Sequence, residues 1–256
     1  MPAAVTDAVA RAGPSLPVRV LAHPMFLRPP GRPDRTRFGL AETEQVVLSA
    51  LDLRSSAARK NVAGAFEIMR PLLRPGRRFV CKVTGGEAEP AAWNRLRDHL
   101  AEAAEQVLLL DAKLDRAGMD SLIASADVVL SPHRSEGFGL LLAEAMIAGV
   151  PVVATGWSGN MDFMTAGVSC LLPFALTPVV DPQGRYRGSV WAEPDLRAAT
   201  EAISGLLEDA DMRRALGEAG RQHVRAALGQ EAWSADATRL LGLETGAAPE
   251  LVGPGH

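Results

Sequence analysis

The sequence predicts an α/β fold built on a single doubly wound parallel sheet. Three observations carry that expectation. Short apolar runs rich in valine and leucine recur along the chain. Longer stretches with helical spacing separate them. The short runs are continuously apolar rather than alternating, as in strands covered on both faces. Right-handed crossovers then place helices on both sides of the sheet. A ligand of such a sheet belongs outside the carboxyl ends of its strands.

The elements follow in order. Strands are predicted at Val46–Leu51, Phe79–Thr84, Val107–Leu110, Val128–Ser131, Val152–Thr155 and Ser169–Leu172. The first connecting helix is predicted over Ala58–Leu73, where Val62, Phe66, Met69 and Leu73 share one face. Ala91–Ala104, Met119–Ala126 and Leu140–Ala148 are the next helices by the same spacing. Strand signals stop near Pro194, which is placed as the first turn of a helix. Helices are predicted over Asp195–Glu208, Met212–Ala227 and Glu231–Leu241. Residues 1–40 read as an arm and linker, 41–242 as the Rossmann-like domain and 243–256 as a Gly/Pro-rich tail. The arm carries six arginines between Arg11 and Arg37 and six prolines between Pro14 and Pro33, which forbid a long helix. Only Val18–Ala22 looks like a short strand there.

Composition narrows the function. The 256 residues are 47% hydrophobic and 22% charged, which excludes a mainly disordered, collagen-like or coiled-coil chain. No apolar run reaches the ~20 residues of a membrane span, and the N-terminus makes a poor signal peptide. A net charge of -3 argues against a general nucleic-acid binder. Cys81 and Cys170 both sit in strand-like runs and read as two buried thiols of a reducing cytoplasm. Peripheral placement at the inner membrane face is a further expectation.

The densest chemical signal runs from Asp127 to Asn160. A strand ends in the loop Pro132–Gly139, and a helix begins near Leu140. Gly137 and Gly139 flank Phe138 at that helix's N-terminus, where free N–H groups and the helix dipole favour an anion. A tight turn without a ligand explains the same glycines. Glu136 precedes them, and Glu144 lies about 8 Å along the helix. The pair has two readings. It grips two hydroxyl-bearing parts of one ligand with a diphosphate between them. Otherwise Glu136 complements the helix N-terminus and Glu144 is exposed. In so apolar a helix a carboxylate needs a partner.

SEGFGLLLAEAM, followed by GVPVVAT and SGN, resembles the retaining family 4 (group 1) glycosyltransferases of GT-B architecture. Glu136 and Glu144 stand in that family's E-x7-E arrangement. ALDLRSSAARKN resembles its first strand and phosphate-binding turn, VCKVTGG its second strand, and WAEP the segment entering its last helices. The likeness runs in order from about Arg35 to Leu241. It implies the C-terminal, donor-binding half of a two-domain enzyme. It implies transfer of a hexose from a GDP, UDP or ADP sugar with retention, without a further cofactor or a metal.

By that resemblance Lys60 contacts the donor diphosphate and Glu136 the donor sugar. The backbone of Gly137, Phe138 and Gly139 meets sugar and phosphate, and Glu144 holds the ribose hydroxyls. Relatives carry a Gly-Arg pair after the first strand, where this chain has Ser49-Ala50-Leu51-Asp52. Arg59 or Lys82 stands in for that arginine; otherwise Arg59 makes a surface pair, and Lys82 must reach a strand end or a charge partner. His133 reads as a loop histidine without a catalytic role, and Asp209-Ala210-Asp211 as helix caps rather than a metal site. The acceptor is unknown: a glycan, a lipid or another molecule. The resemblance implies a separate acceptor domain, or a second copy, against the 231–241 helix with Trp233 on its face. The alternative is a non-catalytic nucleotide-sugar-binding module or the remnant of a split enzyme. A nucleotide-sugar epimerase of the same architecture is disfavoured by the length.

Overall fold

A computed structural model describes Leu21, Met25 and residues 30–241, apart from 183, 185 and 187. The predicted tail and most of the predicted strand Val18–Ala22 lie outside the described residues.

Six strands form one parallel sheet: β1 (Gln45–Asp52), β2 (Arg77–Thr84), β3 (Val107–Asp111), β4 (Val128–Ser131), β5 (Val152–Thr155) and β6 (Cys170–Leu172). Their order is β3-β2-β1-β4-β5-β6, and every neighbouring pair is parallel. The doubly wound sheet is therefore present. The chain runs outward from β1 to β3, returns to β4 beside β1, and runs outward again. The switch between β1 and β4 opens a crevice at their carboxyl ends.

The helices are α1 (Ala57–Lys60), α2 (Val62–Met69), α3 (Pro90–Leu100), α4 (Arg116–Ala124), α5 (Leu140–Ala148), α6 (Leu196–Glu208), α7 (Ala210–Leu228) and α8 (Gln230–Leu240). Strand residues alternate between two cores. Val46, Leu48 and Val80 pack with Leu122, Met146 and Val224 from α4, α5 and α7. Val47, Phe79 and Cys81 pack with Phe66, Leu96 and Ile203 from α2, α3 and α6. Both faces are dry, which is why the strands carry no alternation.

Several expectations need correction. The helix predicted over Ala58–Leu73 breaks at Asn61, whose φ of 54° is left-handed. Asn61 tolerates that conformation, caps Gly64 N–H with its side-chain oxygen, and donates from Nδ2 to Pro132 O at 2.9 Å. Helix α4 starts a turn earlier than predicted because Asp115 caps Gly118 N–H. Pro194 does not open a helix. It ends β8 (Val190–Pro194), which pairs antiparallel with β7 (Phe174–Pro178) in a separate hairpin that the sequence did not reveal. Asp195 caps α6 instead. Asp209 caps α7, accepting from Met212 N–H. Cys170 is only partly buried, whereas Cys81 is enclosed and its thiol is pushed up to about 12 by burial.

The boundary drawn at residue 40 falls inside packed structure. Arg35 donates to Ser125 O, Glu42 O and Glu44 O and pairs with Asp127 at 2.9 Å. Phe38 and Leu40 are buried in the first core, and Met25 N–H donates to Leu228 O at 3.0 Å. Arginine here serves as a multidentate staple, so its density misled the linker reading. Among the described residues, no helix is long and apolar enough to cross a membrane.

Candidate functional site

The crevice between β1 and β4 holds most of the residues singled out by sequence. The turn after β1 brings Arg59 and Lys60 to the end of α1. The loop after β4 brings Glu136 to meet them. The Lys60 ammonium pairs with Glu136 Oε2, and Arg59 Nη1 lies 3.7 Å from Glu136 Oε1. Burial pushes the Glu136 carboxyl up, but the Lys60 charge and hydrogen bond and the Arg59 charge outweigh it. The group is held below its ordinary value and stays ionised.

Arg59 is not a surface residue. Its side chain is 13% exposed, and it donates to Ser135 O at 2.8 Å and Ser55 O at 3.2 Å. It braces the loop that carries Glu136. Arg134 braces the same region from behind. Its guanidinium pairs with Glu193 of β8 and donates to Ala58 O at 2.7 Å, while its backbone N–H reaches Arg59 O. The small hairpin is thus tied to the turn that bears Lys60.

Gly139 caps α5 with φ 95°, a conformation that costs a residue with a Cβ. Opposite, Gly159 presses on the loop: a Cβ there would lie 1.9 Å from Gly137 O. Ser158 Oγ donates to Glu136 O at 2.7 Å, and Gly159 N–H donates to the same oxygen at 2.9 Å. These contacts fix the loop, leaving the α5 N-terminus facing a cavity of about 260 Å³ lined by Ala50, Lys60, Ser131, Glu136, Phe138 and Gly139.

An open groove of about 400 Å³ adjoins it. Ala50, Lys60 and Leu141 line both; Lys82, Thr84, Met119 and Glu144 line the groove alone. Glu144 is mostly buried, and its partner is Arg116 at the start of α4, which also pairs with Asp120. Sequence reasoning required a partner for Glu144 but had no spacing rule to find one 28 residues away. Lys82 is 6% exposed near the end of β2. Burial pushes its ammonium below the ordinary lysine value, partly offset by Asp111 and Asp52.

His133 is fully enclosed. Nε2 faces Asn160 Oδ1 at 3.1 Å and Trp157 O at 3.2 Å, and both oxygens can only accept. Nε2 therefore carries the proton, and Nδ1 accepts from Ser131 Oγ at 3.0 Å. Burial lowers its pKa, so the ring is neutral. His133 is a structural knot that joins the end of β4 to the Trp157–Asn160 turn; its role was not visible from its isolated position in the sequence. Among the described residues, no cluster of three or more His, Cys, Asp or Glu side chains could hold a metal.

Residues 32–223 match the family described as Glycosyl transferases group 1. A D-inositol 3-phosphate glycosyltransferase of Segniliparus rotundus is 30% identical over 81% of this chain and 41% of its own length. A GDP-mannose-dependent phosphatidylinositol monomannoside mannosyltransferase of Corynebacterium glutamicum is 30% identical over 57% of this chain and 35% of its own. The chain thus spans less than half the length of these relatives. Among solved structures, Anabaena HepE in complex with UDP-glucose aligns with a TM-score of 0.72 at 17% identity, over 94% of this chain and 62% of that one. The C-terminal domain of a group 1 glycosyl transferase from Francisella tularensis aligns with a TM-score of 0.56 at 15% identity, over 78% of this chain and 96% of that one. A doubly wound sheet with a crevice at the β1/β4 switch point agrees with a family match over most of the length, and the chain belongs to the group 1 glycosyl transferases.

Proposed function

We propose that this chain is the donor-binding half of a retaining hexosyltransferase that uses a nucleotide-diphosphate sugar. The carrying observation is the meeting of Lys60 and Glu136 beside the N-terminus of α5, with Glu144 further along the same cleft. Transfer through an oxocarbenium-like transition state leaves negative charge on the departing diphosphate. Lys60, the nearby Arg59 guanidinium and the N–H groups at Gly139 can stabilise that charge from fixed positions. Glu136 accepts from sugar hydroxyls, and Glu144 accepts from the ribose. The site is assigned to a cytoplasmic reaction, in keeping with the free thiols at Cys81 and Cys170. The exposed Leu240 at the end of α8 and Leu241 just beyond it support an acceptor-binding partner domain or copy at that helix.

Titration calorimetry with GDP-mannose, UDP-glucose and ADP-glucose tests the donor half. At least one binds, and Lys60→Ala weakens it by about tenfold to a hundredfold, the worth of a charge-assisted hydrogen bond. Product anomers read by NMR test retention in the assembled enzyme, where Glu136→Gln should abolish transfer. Failure of all three donors to bind, or unchanged binding by Lys60→Ala, overturns the reading.

A further inference from the structure

Lys82 is a buried cation with donors to spare. It lies among residues that line the groove, and its side chain is almost wholly enclosed. An ammonium offers three N–H donors. The hydrogen bond it makes is a long one, 3.4 Å, to the carbonyl oxygen of its neighbour Val83. Among the described residues, no carboxylate stands at ion-pair distance from it. Asp52 and Asp111 act on it through their charge, but the Asp52 carboxylate is already chelated by Arg54. A buried charge in that condition calls for an acceptor from outside the chain.

Position and charge say which acceptor. Lys82 lines the groove with Glu144 and Met119 and is absent from the cavity with Glu136, Phe138 and Gly139. Lys60 lies between, lining both. If the sugar sits at Glu136 and the diphosphate at Lys60, the nucleoside lies on the Lys82 side. Asp111 and Asp52 partly offset the Lys82 charge through space, and Arg59 and Lys60 already stand where the phosphates are assigned. That leaves Lys82 for a neutral oxygen of the nucleoside. Met119 and Leu141 supply apolar surface for a flat ring.

We infer that Lys82 is a base-specificity residue, donating a hydrogen bond to a ring carbonyl oxygen of guanine or uracil. Adenine turns an exocyclic amino group to the corresponding edge, and a donor facing a donor is repelled. This deepens the proposed function and rests on it. It also removes Lys82 from the diphosphate, one of the two roles open to it from sequence.

The test is calorimetry of the full chain with GDP, UDP, ADP and inorganic pyrophosphate, on wild type and Lys82→Met. Wild type should bind GDP or UDP about tenfold or more tightly than ADP; which of the two is favoured identifies the base. Lys82→Met should close that gap while leaving pyrophosphate within about twofold, since the diphosphate is assigned to Lys60 and the α5 N-terminus and Lys82 does not line that cavity. Wild type that binds ADP as tightly as GDP and UDP overturns the inference, whatever the variant does. So does a variant that loses pyrophosphate and all three nucleotides in proportion, which would return Lys82 to the phosphates. A wild type that binds none of the four sinks the proposed function and this inference together, whereas equal binding of all three nucleotides sinks only the inference.

Discussion

Glu136 stays ionised in a mostly buried loop because two cations face it, and His133 stays neutral close by because burial outweighs the pull of the Glu136 charge. The two titrations fall in different windows. The folded pKa of His133 is depressed below 6.5. In acid the unfolded chain takes up that proton first, so stability falls as pH drops below about 6.5. Glu136 is also depressed, from 4.5; its contribution is present above that value and is lost only at lower pH. Urea midpoints between about pH 7.5 and about pH 5.5 therefore isolate His133. Wild type should lose stability across that span, and His133→Asn should lose less; parallel slopes for the two would remove the histidine from the account. At this scale the sequence was informative where chemistry is local. Glu136, Gly139 and Glu144 stand in one contiguous motif and Lys60 was singled out by the family resemblance; the structure brings all four to one crevice. Arg116, Arg134 and the His133–Asn160 contact were not legible, because each joins segments distant in sequence.

At the scale of elements, the break at Asn61 matters most. The apolar spacing from Val62 to Leu73 runs on smoothly from α1, so periodicity alone predicts one helix. The backbone instead turns through a left-handed residue that leaves Lys60 at a helix end beside Glu136. Asn61→Ala removes a cap, forces a Cβ without compensation into that conformation and strips Pro132 O of its donor. A loss of about 2–4 kcal/mol is expected by urea denaturation. Asn61→Gly keeps the conformation and should lose about 1 kcal/mol less. If glycine proves as costly as alanine, backbone conformation is not the reason asparagine stands there. The β7–β8 hairpin escaped prediction for a different reason. Phe174–Pro178 is short, largely exposed and ends in proline, so neither buried-strand composition nor clean alternation marks it.

For the whole molecule, the alternation of strands and helices was enough to predict the parallel sheet, since its four central strands, β1, β2, β4 and β5, are buried on both sides. The edge of the domain was not legible. Proline and arginine density marks a linker by composition, yet Arg35 binds three carbonyls and a carboxylate while Phe38 and Leu40 enter the core. A chain beginning at residue 41 should melt about 10 °C below one beginning at residue 30, from two buried side chains and the lost staple. Equal melting temperatures by calorimetry would show that the segment adds nothing.

The two glutamates of the cleft each already face a cation, Glu136 with Lys60 and Glu144 with Arg116. A ligand that brings hydroxyls to those carboxylates and phosphate to that lysine swaps partners rather than meeting bare charges. The cleft therefore presents little net charge to an approaching anion. Its capture should depend on fit after contact, not on long-range attraction. The association rate should change only shallowly with ionic strength, even for a substrate that carries two negative phosphates.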